Sequence, residues 1–227
     1  MRSFSDLLDT AVLHKGSLKK IESTLPVPAS AEELQAKPNS FFLSVMSKRV
    51  FQAGLKHSMV EQRWPHFEKA FDGFDPVQAA MLSDSDIDDL MSNKDLIRHL
   101  GKMKSVRNNA SMMLEVCREY GNFGTFLAQW PSDDIVGLWT YLKKVGTQLG
   151  GMSGSRFLRM AGKDTFLLTN DVVQVLKAEG VVEKVPSSQK ELKATQAVFN
   201  QWAEESGRPL CQVSRIVSYT VMAEVLT

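Results

Sequence analysis

GTQLGGMSGSRFLRMAGKDTFLLTND, residues 146–171, is the stretch whose reading decides how this chain folds. Glycines stand at 146, 150, 151 and 154, and a segment of helical apolar spacing follows from Ser155. Upstream, residues 134–145 show the same spacing and end on Lys143-Lys144. Gly146 is thus placed as the residue after a helix C-terminus, where glycine accepts left-handed backbone. A helix, a hairpin turn over 150–154 and a second helix result. Such a device has a chemical use. Glycines let the backbone approach a ligand, and the first N–H groups of the second helix have no partner within it. With the positive helix end they hold one phosphate. Between Ile135 and Lys163 the basic residues are Lys143, Lys144, Arg156, Arg159 and Lys163, with no acid among them, which suits a polyanion. Taken alone, the same stretch also describes a plain interhelical turn with solvated lysines. The spacings G-x-x-x-x-G-K-[ST] and G-x-G-x-x-G are missing, which argues against a nucleotide-binding loop.

Working outward, helical apolar spacing recurs at 41–55, 102–120, 134–145, 155–161, 169–179 and 189–204. Capping boxes of the S-x-x-E type are expected at Ser30–Glu33, Ser58–Glu61 and Ser188–Glu191. Proline and glycine punctuate the segments between. Residues 181–185 could form a short strand and are read as extended loop. The fold class is all-α, with about ten or more short helices. No long polar linker separates independent domains. Two helical lobes are expected, residues 45–165 as a central bundle ending in the hairpin, and 1–44 with 166–227 as the second, with a cleft between them.

Composition sets further bounds. A net charge of +1 excludes a grossly basic protein but permits local basic patches. Cys117 and Cys211 are too far apart in sequence for a close-spaced metal motif, and both are expected to be reduced in a cytoplasmic setting. The start, MRSFSDLLDTAVLHKGS, is amphipathic and lacks a signal peptide's apolar core. No apolar run is long enough to span a membrane, so a soluble protein without a membrane partner is expected. The histidines at 14, 57, 66 and 99 show no ligand spacing, and Asp84, Asp86, Asp88 and Asp89 lack the glycine and terminal glutamate of a calcium loop. Ser83 is read as a helix cap with these acids in the first turn. Neither a metal nor a cofactor is expected. Cys117, Trp64, Trp130, Trp139 and Tyr141 read first as core. Asp171 stands at the start of an apolar helix, where an acid ordinarily serves the dipole or caps. Thr169 or Asn170 could cap equally well and leave Asp171 free.

Residues 51–110 carry a resemblance. Q-A-G-L at 52–55, F-x-x-A-F-x-G-F-D-P at 67–76, the alternating acids with Leu90, I-R-H-x-G-K at 97–102 and Asn108-Asn109-Ala110 together resemble the 3-methyladenine DNA glycosylase I family. The segment KKVGTQLGGMSGSRFLRMAG resembles that family's hairpin region, and Asn170-Asp171 falls where the family has an Asn-Asp pair. The likeness covers about half the chain. In the wider helix–hairpin–helix superfamily an aspartate follows the hairpin by about twenty residues, as Asp171 follows Gly151.

The resemblance implies a two-lobed helix–hairpin–helix DNA glycosylase fold. It also implies a DNA repair activity that flips a damaged, alkylated base out of duplex DNA and hydrolyses its glycosidic bond. Damaged double-stranded DNA is then the partner; a monomer is expected, though the residues leave dimerisation open. Asp171 is implied as the catalytic carboxylate. Arg49, Phe51, His57 and Trp64 are implied as base-pocket residues, and Gly151, Ser153, Gly154, Ser155, Arg156 and Lys163 as phosphate contacts. Superfamily members that also cut the backbone have a lysine just after the hairpin. Ser155 and Arg156 stand there instead, so no lyase step is expected. The chain also departs from the family. The zinc-binding cysteines and histidines are missing. Arg49 stands where the family has its base-reading glutamate, and His57 where it has its pocket tryptophan. A non-catalytic DNA-binding protein derived from a glycosylase is the alternative, and a helical interaction protein a third reading.

Overall fold

The computed structural model describes residues 1–221. Among these residues the regular structure is helical throughout. In chain order the α-helices are α1 (Phe4–Lys15), α2 (Leu18–Glu22), α3 (Ala31–Ala36), α4 (Asn39–Gln52), α5 (His57–Ala70), α6 (Pro76–Met81) and α7 (Asp84–Ser92). They continue with α8 (Leu100–Tyr120), α9 (Phe123–Gln129), α10 (Ile135–Val145), α11 (Met152–Ala161), α12 (Asn170–Ala178), α13 (Gln189–Ser206) and α14 (Leu210–Ser218). Short 3-10 turns cover Asp72–Phe74 and Ser132–Asp134. Residues 181–185 form no strand. No helix of the described residues is long and apolar enough to cross a membrane.

Side-chain caps fix where many of these helices begin. Reciprocal capping boxes start α3 at Ser30–Glu33 and α13 at Ser188–Glu191, as expected, and also α1 at Ser3–Asp6 and α7 at Ser83–Asp86. The box expected at Ser58–Glu61 does not form. Helix α5 begins earlier, at His57, after Lys56 and without a side-chain cap. Glu61 is drawn instead toward α4, where it accepts from Lys48 Nζ at 3.2 Å and Gln52 Nε2 at 3.1 Å.

The helices cluster into two units. The larger comprises residues 29–130 and 138–163. Its spine is α8, whose Met103, Val106, Ala110 and Met113 are fully buried and against which α4, α6, α7 and α9 pack. A run of stacked rings forms a second nucleus: Trp64 lies parallel to Phe67 at 5.0 Å and to Phe74 at 5.3 Å. Phe51 meets Phe67 edge-on at 4.6 Å. Helix α3 lies so close on α9 that a Cβ on Gly124 would run into the Leu34 carbonyl. That contact, with the packing of α4 on α8 and α11, holds residues 29–44 in this unit. Among the described residues the smaller unit comprises 1–28, 131–137 and 164–221. In it α14 packs against α1, α12 and α13, around Phe166 stacked on Phe199 at 4.3 Å and Trp202 set edge-on at 5.5 Å. The Asp164 carboxylate accepts from the backbone N–H groups of Leu210 and Cys211 at 2.9 and 2.8 Å, anchoring the start of α14.

Candidate functional site

The hairpin between α10 and α11 is built by glycines and one asparagine. Helix α10 closes with Gly146 N–H donating to the Leu142 carbonyl at 2.9 Å. Next, the buried Asn109 of α8 grips the chain from both sides: its Oδ1 accepts from Thr147 N–H at 2.7 Å, and its Nδ2 donates to the Thr147 carbonyl at 3.1 Å. The turn then passes through Gln148 at φ 61° and Gly151 at φ 56°, ψ −132°. The latter region is essentially closed to residues with a Cβ. Ser153 N–H returns to the Gly150 carbonyl at 3.1 Å. A Cβ on Gly154 would lie 2.8 Å from the Leu149 carbonyl oxygen, so only glycine lets α11 start this close to the turn. No side chain caps α11. Its first turn keeps its positive end, and its N–H groups other than that of Ser153, for an outside anion.

The residues expected to contact phosphate divide. Gly151 is exposed, Ser153 and Gly154 are buried at the turn, and Arg156 is half-buried with its Nε sealed and unbonded. Ser155 is buried and its hydroxyl donates to the Met152 carbonyl at 3.3 Å. Lys163 is 5% exposed and its Nζ donates to the Trp130 carbonyl at 2.5 Å. These last two side chains are turned to internal use. In the case of Lys163, the chain reverses at Gly162, φ 98°, and carries the lysine stem inward. The lysines that remain open to solvent are Lys143 and Lys144.

The pocket residues divide as well. Phe51 and Trp64 are buried in the ring stack, and the Trp64 N–H donates to Glu68 Oε1 at 2.8 Å and Ser44 Oγ at 3.1 Å. Both are core residues and offer no open face. His57 is exposed at the first position of α5. Arg49, on α4, is buried at 7% exposure, its Nε bonded to nothing among the described residues. Burial first, and then the neighbouring Arg156, hold its pKa below the usual arginine range.

Sequence reasoning gave no role to two residues that frame this region. Asn109 is one. The other is Lys102, also buried, whose Nζ donates to the Phe51 and Ala53 carbonyls at 3.1 and 2.6 Å and so closes the end of α4. His99 caps α8 through Nδ1, which accepts from Lys102 N–H at 3.3 Å. Burial, and then the charge of Arg49, lower the Lys102 pKa. The motifs Q-A-G-L, I-R-H-x-G-K and N-N-A thus meet: Lys102 ties the first two together and Asn109 ties the third to the hairpin. That they stood together in the sequence was the available signal.

In the smaller unit Asp171 is exposed in the first turn of α12. Thr169 takes the cap, its Oγ1 accepting from Val172 N–H at 3.4 Å. The Asp171 carboxylate is bonded to nothing among the described residues and is free for other chemistry. The family's zinc does not fit here. Val172 and Val173, directly after Asp171, are buried in the apolar face of α12. Among the described residues no group of three or more His, Cys, Asp or Glu side chains is placed to hold a metal.

Comparison with known proteins places these features. The family model for methyladenine glycosylases matches residues 35–164, more than half of the chain. That range includes the hairpin, Arg49, Lys102 and Asn109, and stops short of Asp171. The DNA-3-methyladenine glycosylase of Haemophilus influenzae is 37% identical over 78 residues, 34% of this chain and 41% of that protein. The match therefore spans only about two fifths of that relative's length. A solved structure of 3-methyladenine DNA glycosylase I from Staphylococcus aureus superposes with a TM-score of 0.50 at 24% identity, over 55% of this chain and 77% of that one. The 8-oxoguanine glycosylase/lyase of Methanocaldococcus jannaschii, solved with DNA, superposes with a TM-score of 0.55 at 15% identity, over 97% of this chain and 99% of that one. These likenesses establish the all-α helix–hairpin–helix DNA glycosylase fold across the described chain.

Proposed function

The chain belongs to the methyladenine glycosylase family, and from that membership we propose that it is a monofunctional DNA glycosylase acting on damaged duplex DNA. The observation that carries the reading is the hairpin. Asn109 fixes it at Thr147, a glycine-only backbone bends it at Gly151, and α11 begins without a side-chain cap. A fixed, uncapped helix start is a phosphate holder by its chemistry. Lys143 and Lys144 nearby add the attraction that any duplex supplies a use for.

In this proposal the damaged nucleotide is rotated out of the stack while the hairpin grips the backbone. The bond between C1′ and the base nitrogen breaks, the base leaves with the electron pair, and the sugar gains cationic character. The Asp171 carboxylate stabilises that charge and orients a water, which adds its oxygen to C1′ and gives its proton to the carboxylate; Asp171 then passes the proton to solvent when the leaving base was cationic, or to the departed base when it was neutral. The products are a free base and an abasic site with an intact backbone. Ser155 and Arg156 support the absence of a lyase step, because neither provides the amine needed for a Schiff base. The protein acts as a monomer in this reading, and the two unbridged cysteines support a cytoplasmic setting.

The test is incubation with duplexes each carrying one defined lesion, scoring free base and strand integrity separately. Release of base with unbroken strands is the expected result. Binding to duplex with no base released from any lesion would point instead to a non-catalytic DNA-binding protein.

A further inference from the structure

Arg49, Lys102 and Arg156 come from three helices, α4, α8 and α11; Arg49 feels the charge of Arg156, and Lys102 that of Arg49. Helix α4 packs against both α8 and α11, which brings the three together inside the larger unit. Arg49 and Lys102 are more than nine-tenths buried. The Nε atoms of Arg49 and Arg156 are sealed from water and bonded to nothing among the described residues. Among the described residues neither is matched by an ion pair, and Lys102 has none either. Lys102 directs donors at two backbone carbonyls, whereas the Arg49 Nε donates to nothing among the described residues. Buried cations set side by side without a counter-charge are costly, and such arrangements persist where a ligand supplies the missing acceptors.

We propose that this cluster is the base-reading site, and that it accepts the carbonyl oxygens of an uncharged extruded nucleobase while rejecting a base that carries positive charge. The proposal rests on the glycosylase reading and departs from the alkylated purine that the family resemblance implies. A guanidinium fork matches two neighbouring acceptors on a base edge, and deaminated or oxidised bases present such edges. A cationic alkylated purine would instead meet three positive charges. Phosphate is the other oxygen-rich group in DNA. The phosphates of a duplex run along the protein surface, however, while Arg49 and Lys102 lie beneath it. An extruded base is the part of DNA that enters a protein.

The experiment uses duplexes identical except at one position, which holds hypoxanthine, uracil, 8-oxoguanine, 7-methylguanine or an abasic site. Affinity and single-turnover base release are both measured for the wild type, Arg49→Met and Arg49→Glu. Melting curves confirm folding, and both variants are expected to melt at or above the wild type because each relieves repulsion. The wild type should bind at least one uncharged carbonyl-bearing duplex about tenfold or more tighter than the 7-methylguanine or abasic duplex. Arg49→Met should remove most of that preference, and Arg49→Glu should turn it toward 7-methylguanine. A wild type that prefers 7-methylguanine would overturn the proposal. So would Arg49→Met weakening the abasic and carbonyl duplexes equally, since the cluster would then be reading phosphate. Preference in binding without any base release would sustain this site while refuting the glycosylase reading. Release of 7-methylguanine ahead of the other bases would do the reverse.

Discussion

Gly151→Ala tests whether the hairpin is held by backbone conformation. At Gly151 the backbone sits at φ 56°, ψ −132°, and an added Cβ would find no atom within 4 Å. Collision is thus excluded as the source of any effect, and the whole cost is conformational. Forcing alanine into such a region costs about 1–3 kcal/mol. Loss of glycine's freedom in the unfolded chain returns about 0.4–1 kcal/mol. At the middle of each range the net is a destabilisation of about 1.3 kcal/mol, which for a chain of this size lowers Tm by about 3–5 °C. Gly150→Ala is the control one residue away. Its backbone is not left-handed, and an added Cβ would make an ordinary 3.6 Å contact with the flexible Lys143 side chain. That variant should match the wild type or slightly exceed it. Thermal unfolding by circular dichroism reads both, and duplex titration should show weaker binding for Gly151→Ala. Equal losses in the two variants, or none in Gly151→Ala, would refute the reasoning.

Three further outcomes are expected. Gly124→Ala must push α3 off α9, because the new methyl meets the Leu34 carbonyl rather than a movable side chain; denaturant titration should show a loss of about 1–3 kcal/mol or more. Lys102 has a folded pKa below its ordinary 10.5, so the unfolded chain binds its proton more readily and stability should rise as pH climbs from the lowered value toward 10.5. Arg49→Met removes one cause of that shift and should flatten the rise in denaturant midpoints measured across the same window. Glu191 is held down to about 2 by the backbone N–H groups of Ser188 and Ser187 and by the Ser188 hydroxyl. Its contribution is complete above pH 4.5 and is lost as pH falls through about 2. Glu191→Gln should therefore be less stable than wild type at neutral pH, with the difference closing near pH 2 in an acid titration.

Much of the fold was legible because caps and apolar spacing are local. The expected segment 102–120 became Leu100–Tyr120, and 189–204 became Gln189–Ser206, each within a few residues. Ser58–Glu61 failed because a capping box competes with tertiary partners, and Lys48 and Gln52 hold Glu61. The site was legible in part. Glycine spacing announced the hairpin, and Thr169 was visible as an alternative cap that leaves Asp171 free. Aromatic residues show only that they will be buried somewhere: Trp64 read first as core, as it is, but nothing local in Phe51 or Trp64 told that the two rings would join one stack inside. A lysine or arginine on a helix is ordinarily solvated. The burial of Arg49, Lys102 and Lys163 emerges only when helices distant in sequence pack together, and nothing local records it.

The measurement that bears most directly on the central claim is single-turnover release of free base from lesion-bearing duplex by the wild type and by Asp171→Asn. The substitution is nearly isosteric, and Thr169 rather than Asp171 caps α12, so folding and duplex affinity should be retained. The account predicts release by the wild type and a fall of about a hundredfold or more in the variant, with binding unchanged. Release by Asp171→Asn at the wild-type rate would contradict it.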